Sequence, residues 1–507
     1  MIAKVCSAGL VGIEGYLLTV ECFYSNGLPR LDIVGLPDKA VTESAERVRA
    51  AVKSIGYDWP PSRLIINLAP ADKRKEGSAY DLPILLAILS ATGQIDCPPA
   101  DAVFLGELSL TGELRPVPGV LSMLLAAKEA GCKTAFLPME NTAEAVYANG
   151  MTIYGVQKVA DILNHLRGFC PLTPCTMQTP QQTQQNTPDF QDVLGQETVK
   201  RALEIASVGG HNVLLSGSPG SGKSMMAKCF PGILPPLSQE ERLEVIRVWS
   251  ASGLGKEAVE LAGRPFRAPH HTSSSIALVG GSGSSGKLPR PGEISLAHQG
   301  VLFLDELPEF RRDALEILRQ PLEDGIVTIS RAAGKVTYPA RFQMIAAMNP
   351  CKCGWYGTTR CTCRPQEVKR YLQRISGPLL DRIDLQVAVQ PVRYEALAAR
   401  AKGQGESSAE IRARVLQARE IQKNRFAGTG ILCNAMIPPA QLAKFCALDR
   451  AGEKMLGAAF ERLGLTARTH DRILRVARSI ADLEQAAQIE AQHLAEALQY
   501  RTFDQQI

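Results

Sequence analysis

The 507 residues, 45% apolar and 21% charged, exclude a disordered, collagen-like or disulfide-scaffold chain and suit a soluble protein of about three domains. Fifty-six basic against 51 acidic residues leave a net charge of +5, which permits nucleic-acid binding without implying it. Nine of the thirteen cysteines are scattered singly, as at Cys6, Cys22, Cys229 and Cys446, which suits a reducing, cytoplasmic setting. No apolar run approaches the roughly 18 residues of a membrane span. Gly9, Gly12, Glu14 and Gly15 interrupt the short apolar patch at the start, so a secretory signal is not expected.

In chain order, Tyr16–Phe23, Arg63–Leu68 and Ala102–Leu110 read as strands. Thr42–Ser54, Leu82–Ala91 and Leu121–Gly131 have helical spacing, giving an α/β domain over residues 1–170. Residues 171–189 form a linker: Pro171 to Pro188 holds four Pro, five Thr and five Gln and no charge. An α/β core is expected over 190–393, with a helix at Gln196–Val208 and strands at Asn212–Ser216, Gly300–Leu304 and Arg341–Met348. Residues 394–507 are Ala-, Arg- and Gln-rich with 3.6-residue periodicity, an all-helical region.

The strand Asn212–Ser216 runs into Gly217, Ser218, Pro219, Gly220, Ser221, Gly222, Lys223 and Ser224, the pattern GxxxxGK[ST] between a strand and a helix. Glycines let successive backbone N–H groups wrap phosphates at a helix N-terminus. Lys223 supplies a cation to the β- and γ-phosphates, and Ser224 a hydroxyl ligand to Mg²⁺. Val301–Leu304 is apolar enough for a buried strand and ends in Asp305 and Glu306. Asp305 suits Mg²⁺ through water and Glu306 the attacking water. ATP, Mg²⁺ and hydrolysis are the expected chemistry.

With these motifs, residues 190–507 resemble an AAA+ ATPase of the magnesium-chelatase/MCM-like branch. The resemblance implies that Asn349 is sensor 1 and that Arg382, in Gly377–Asp384, is an arginine finger for the neighbouring subunit. It implies that Arg468 is the sensor-2 arginine. Arg468, Arg472, Arg475 and Arg478 fall on one helical stripe roughly 120° wide, opposite Ile473, Leu474, Ala477, Ile480 and Ala481. The last three arginines read as a solvated basic face or as contacts to a neighbour, nucleotide or nucleic acid. Arg264–Leu296, with a Gly/Ser-rich tip at Gly280–Gly286, resembles the insert in helix 2 of this clade. Ile326–Phe342 reads as a hairpin and resembles the pre-sensor-1 hairpin that enters the pore of MCM-like helicases. There Arg331 and Lys335 would grip DNA phosphates without reading bases. His270 and His271 read as hydrogen-bonding residues, since no further ligands cluster near them.

Cys351, Cys353, Cys361 and Cys363 place four thiolates in thirteen residues. They read as a structural Zn²⁺ site bracing sensor 1, with redox chemistry and free thiols as alternatives. Residues 1–170 resemble the ribosomal-S5/Lon-protease-like domain, on Phe104–Gly119, Leu124–Ala127 and Ala135–Pro138. Ser78 stands at the nucleophile position, but the position of the base lysine holds Met123, whose thioether takes no proton. An inactive domain follows, with Ser78 read as a helix-cap or turn residue.

The order of inactive Lon-like domain, linker, chelatase-type AAA+ core and helical lid resembles the bacterial YifB/ComM family. The resemblance implies a homo-oligomeric, hexameric ATPase acting on single-stranded or branched DNA, as a branch-migration helicase in natural transformation. The alternatives are a chelatase-type motor that remodels a protein partner for metal insertion, a Lon-type protease, and a scaffold that binds ATP without turnover.

Overall fold

The computed structural model describes residues 2–176, 188–281, 289–331, 334–391, 405–463 and 465–501. Its first sheet holds β1 (Ile2–Val11), β2 (Glu14–Ser25), β3 (Arg30–Val34), β4 (Arg63–Ala69) and β5 (Ala102–Phe104). After a short hairpin of β6 (Glu107–Leu108) and β7 (Leu114–Arg115), β8 (Thr134–Pro138) and β9 (Thr152–Val156) complete it, in the order β3-β4-β2-β1-β5-β8-β9. β1 and β2 run antiparallel, Val11 opposite Glu14, through a turn at Gly12 (φ 65°) and Ile13. The glycines that spoil an apolar segment here serve a strand instead: a Cβ on Gly15 would collide with the carbonyl of Ser122. The expected strand Ala102–Leu110 breaks after Phe104. Gly106 leaves the sheet to donate to the Ala79 carbonyl (3.0 Å) and accept from the Leu82 amide (3.1 Å). Helix Asp81–Ala91, apolar on every side, is buried along its whole length.

The second sheet contains β10 (Val213–Gly217) and β11 (Phe266–Arg267). Beyond the small pair β12 (Gly280–Gly281) and β13 (Arg290–Pro291) comes β14 (Val301–Leu304). The hairpin β15 (Ile326–Arg331) and β16 (Gly334–Pro339) precedes β17 (Gln343–Met348) and β18 (Leu385–Val389). The sheet order is β11-β14-β17-β10-β18 and every pairing in it is parallel. All its C-terminal strand ends therefore meet along one edge, where ligands of open α/β sheets bind. Residues 282–288, which include most of the Gly/Ser-rich tip Gly280–Gly286, lie outside the described residues.

From 405 to 501 the described chain is helical, with helices Ser408–Arg425, Leu442–Phe445, Arg450–Leu463, Ala467–Leu483 and Ala491–Gln499. One apolar core joins these helices to the β10 sheet through residues such as Leu215, Phe230, Val415 and Ile480. Another core crosses between the first part of the chain and the second: Leu121, Leu124 and Ala135 pack with Val245, Trp249 and Ala258. The expected linker lies largely on 177–187, outside the described residues. Its flanks are anchored, the Cys175 amide on the Ile153 carbonyl (2.7 Å) and the Phe190 amide on Ser408 Oγ (2.9 Å). No helix among the described residues is long and apolar enough to cross a membrane.

Candidate active site

The fully buried β10 ends at Gly217, and the loop to Ser224 opens directly into helix Lys223–Cys229. Gly220 and Gly222 sit at φ 74° and 89°, the left-handed turns that curl the backbone amides inward. Gly217 also lies too close to the Val389 carbonyl to carry a side chain. Lys223 is buried and folds back, donating from Nζ to the carbonyls of Gly217 (2.7 Å) and Ser218 (2.9 Å) and to Asn349 Oδ1 (3.3 Å). Burial pushes its ammonium below the ordinary lysine range. An anion in the loop has two ready partners, this ammonium and the amides.

The four buried residues of β14 deliver Asp305 beside the loop. Ser224 Oγ donates to Asp305 Oδ2 at 2.7 Å, so a hydroxyl and a carboxylate oxygen stand ready on one Mg²⁺ position. Glu306 follows in the left-handed region (φ 52°, ψ 46°), unusual for a non-glycine residue, with its amide on Asp305 Oδ1 at 2.9 Å. That turn sends the two carboxylates in different directions. Asp305 faces Ser224, while Glu306 Oε2 lies 3.1 Å from Nδ1 of His271. His271 is a contact the sequence did not single out beyond a hydrogen-bonding role, since 35 residues separate the partners. Asn349 follows β17, whose Met348 pairs with Ser216 of β10. Strand register thus brings Lys223, Ser224, Asp305, Glu306 and Asn349 to one edge.

Arg382 lies at the opposite edge. Its carbonyl accepts from Asn212 Nδ2 (3.0 Å) just before β10 and β18 begin their parallel run. Five strand residues separate that end from the P-loop, about 16 Å, farther than a guanidinium extends from its Cα. Its side chain is buried against Glu323 and donates from Nη1 to the Pro378 carbonyl (2.6 Å), rather than pairing with Asp381 or Asp384. The Arg382 hydrogen bond, with Arg468 and Arg472 nearby, holds the Glu323 carboxyl below its usual range. Arg468 is exposed, on the same side as Arg382.

The apolar stripe of helix Ala467–Leu483 is buried as expected, but of the arginines opposite only Arg468 is exposed. Arg478 is buried on Asp482 (3.0 Å) and the carbonyls of Ala486 and Ala487. Arg475 donates to the Ile437 carbonyl (2.9 Å), and Arg472 lies 3.6 Å from Asp384. All three cations are engaged within the chain.

In the hairpin, Val327, Ile329, Val336 and Tyr338 are buried on one face, while Arg331 and Lys335 are exposed at its end, beside 332–333, which lie outside the described residues. The four cysteine sulfurs lie within 4.8 Å of one another. Backbone N–H groups of Thr362 and Trp355 aimed at the Cys353 sulfur bring its thiol down to about 6. Ser78 is a turn residue rather than a helix cap: its carbonyl accepts the Asp81 amide (3.3 Å), its hydroxyl donates to the Glu107 carboxylate, and Asp81–Ala91 begins without a side-chain cap. Met123 is buried in helix Val120–Glu129.

A P-loop on a parallel sheet, with an acidic strand end and a polar residue after the neighbouring strand, defines a P-loop nucleotide-binding module of AAA+ type followed by a helical region. The family described as "Magnesium chelatase, subunit ChlI" matches residues 189–397. "Subunit ChlI of Mg-chelatase" matches 20–141, and "Magnesium chelatase, subunit ChlI C-terminal" matches 405–501. YifB of Salmonella typhimurium is 43% identical over 505 residues, covering 99% of this chain and 97% of the relative. The competence protein ComM of Haemophilus influenzae is 43% identical over the same coverage. Lon protease of Mycolicibacterium smegmatis is 30% identical over 167 residues, 30% of this chain and 21% of that protein. The chain belongs to the magnesium-chelatase-like family that includes YifB and ComM.

Proposed function

We propose that this protein is an ATP-hydrolysing hexameric motor acting on single-stranded or branched DNA, a branch-migration helicase that promotes recombination of incoming DNA during competence. The observation that carries the motor reading is the convergence of Lys223, Ser224, Asp305, Glu306 and Asn349 on one sheet edge, with Arg382 at the other. Lys223 and the loop amides bind the phosphates. Ser224 and Asp305 would hold Mg²⁺, which when bound would supply positive charge against the phosphates. Glu306 would orient the attacking water, and Asn349, 3.3 Å from Lys223 Nζ, would face the γ-phosphate as sensor 1. Arg382, too far from its own loop, completes the site of the next subunit, so turnover requires a closed ring, and Arg468 serves as the sensor-2 arginine. This assigns 190–393 to the motor core, 394–507 to the lid, 171–189 to a linker and 1–170 to an inactive Lon-like domain.

DNA as the track rests on the 43% identity to a competence protein and on the exposed cations Arg331 and Lys335 at the hairpin end. The test is a synthetic four-way junction with purified protein and ATP. Wild type moves the branch point, and Glu306→Gln binds ATP while losing at least about 100-fold in rate. An unmoved junction with the wild-type protein overturns the helicase reading. A chelatase-type motor working on a protein partner is the second reading, favoured by the chelatase descriptions of all three matching segments. Proteolysis is disfavoured by Met123 and by the Ser78–Glu107 hydrogen bond.

A further inference from the structure

The segment 349–364 has no regular helix or strand, and half of its residues are exposed. Apart from Cys351 and Gly354 nothing in its excursion from 351 to 363 is buried. Ordering such a stretch costs conformational entropy that so small an apolar contact does not offset. What gathers it is the cysteine cluster. Cys351 and Cys353 sulfurs are 3.3 Å apart, Cys353 and Cys361 3.7 Å, and Cys351 and Cys361 4.0 Å. Four sulfurs at the usual Zn–S distance of about 2.3 Å stand about 3.8 Å apart around a tetrahedral ion. A disulfide needs about 2.05 Å, so the observed spacings bracket the metal value and miss the covalent one.

We propose that Cys351, Cys353, Cys361 and Cys363 bind one structural Zn²⁺ that fixes the loop against the P-loop. On binding, the thiol protons pass to solvent and four thiolates give the centre a charge of −2. Lys352, Arg360 and Arg364 lie within the same stretch to balance it. All four positions are filled by protein, so the site is structural rather than catalytic.

The mechanical link is Gly354. It sits at φ 84°, and a Cβ there would lie 2.5 Å from Cδ and 2.6 Å from Cγ of Pro219. Cys351 stands two residues beyond Asn349 and is wholly buried with Met348 and Tyr371. The cluster therefore touches the nucleotide site twice, under Asn349 and on Pro219. This second half rests on the ATP reading above; the metal half does not.

The test uses the full chain purified under reducing conditions. Elemental analysis should find about one zinc per chain, and Co²⁺ substitution should give the visible d–d bands of tetrahedral cobalt thiolate. The double variant Cys361→Ser/Cys363→Ser should bind metal at least about 100-fold more weakly. Gly354→Ala keeps every thiolate; it should retain its zinc yet bind a fluorescent ATP analogue about tenfold more weakly. Metal-free wild-type protein with four freely titrating thiols, or with a disulfide among them, would overturn the site. Zinc present but nucleotide affinity unchanged in Gly354→Ala would overturn the brace. Zinc present with no nucleotide binding by wild type would leave the metal site standing and sink the ATP reading.

Discussion

Asp384 shows how much a single side chain carries in this architecture. It closes the N-terminal end of the β10–β18 pair, accepting the Asn212 amide (3.2 Å), 3.3 Å from His211 and 3.6 Å from Arg472. Burial works against its charge, yet His211 and Arg472 hold the carboxyl at about 2, below the ordinary value of about 3.9. A lowered carboxyl stabilises the fold above its unfolded pKa and loses that contribution as pH falls through the folded one. The window is therefore roughly pH 4 to 2, and the contribution at most about 2–3 kcal/mol. Urea unfolding at stepped pH should show the advantage of wild type over Asp384→Asn full at pH 6 and shrinking below about pH 4. A difference independent of pH would assign the role to packing alone. At this scale the sequence was legible where chemistry repeats locally, as in Gly217–Ser224 and Asp305–Glu306. It was not legible where the partner is distant, as with His271 on Glu306 and Glu323 on Arg382.

At the scale of elements, a buried ionic hub ties the C-terminal helices together. Asp482 is fully buried and receives Arg425 at 2.5 and 2.9 Å, Arg478 at 3.1 Å and Asn434 at 2.8 Å. The hub ties helix Ser408–Arg425 to helix Ala467–Leu483. Asp482→Ala strands two guanidinium groups in a poorly solvated place, a loss of about 3–5 kcal/mol. Thermal unfolding followed by circular dichroism should show an early helical transition absent from wild type. A coincident melt would contradict the hub's importance. Helical periodicity revealed the buried stripe of Ile473, Leu474, Ala477 and Ile480. It misjudged the arginines opposite, because a 3.6-residue projection sees one helix and not the neighbours that pack on its second face. The same limit applied to the β1–β2 hairpin: Gly9 and Gly15, read as interruptions, are close-approach positions in a sheet.

For the whole molecule, the distance between Arg382 and its own P-loop makes the proposed ring testable. Lys223→Ala lacks a phosphate ligand but keeps its arginines, and Arg382→Ala has the reverse defect. Each variant alone should be at least about 100-fold slower in ATP turnover. Mixed in equal amounts under conditions that allow subunit exchange, they should recover a measurable fraction, since some interfaces then pair an intact loop with an intact arginine. No recovery in mixed rings would place Arg382 outside the shared site. The two sheets were foreseeable from strand–helix alternation. Their joint core through Leu121, Trp249 and Ala258 was not, because apolar residues do not announce which surface they meet.

A motor that spends ATP on DNA turns over faster when its track is present, so hydrolysis is compared with and without DNA. ATP hydrolysis by purified protein should rise about tenfold or more with single-stranded or four-way-junction DNA. In Arg331→Ala/Lys335→Ala that stimulation should vanish while basal turnover stays. Turnover indifferent to DNA and to the hairpin would contradict the account and move the protein-remodelling reading ahead of it.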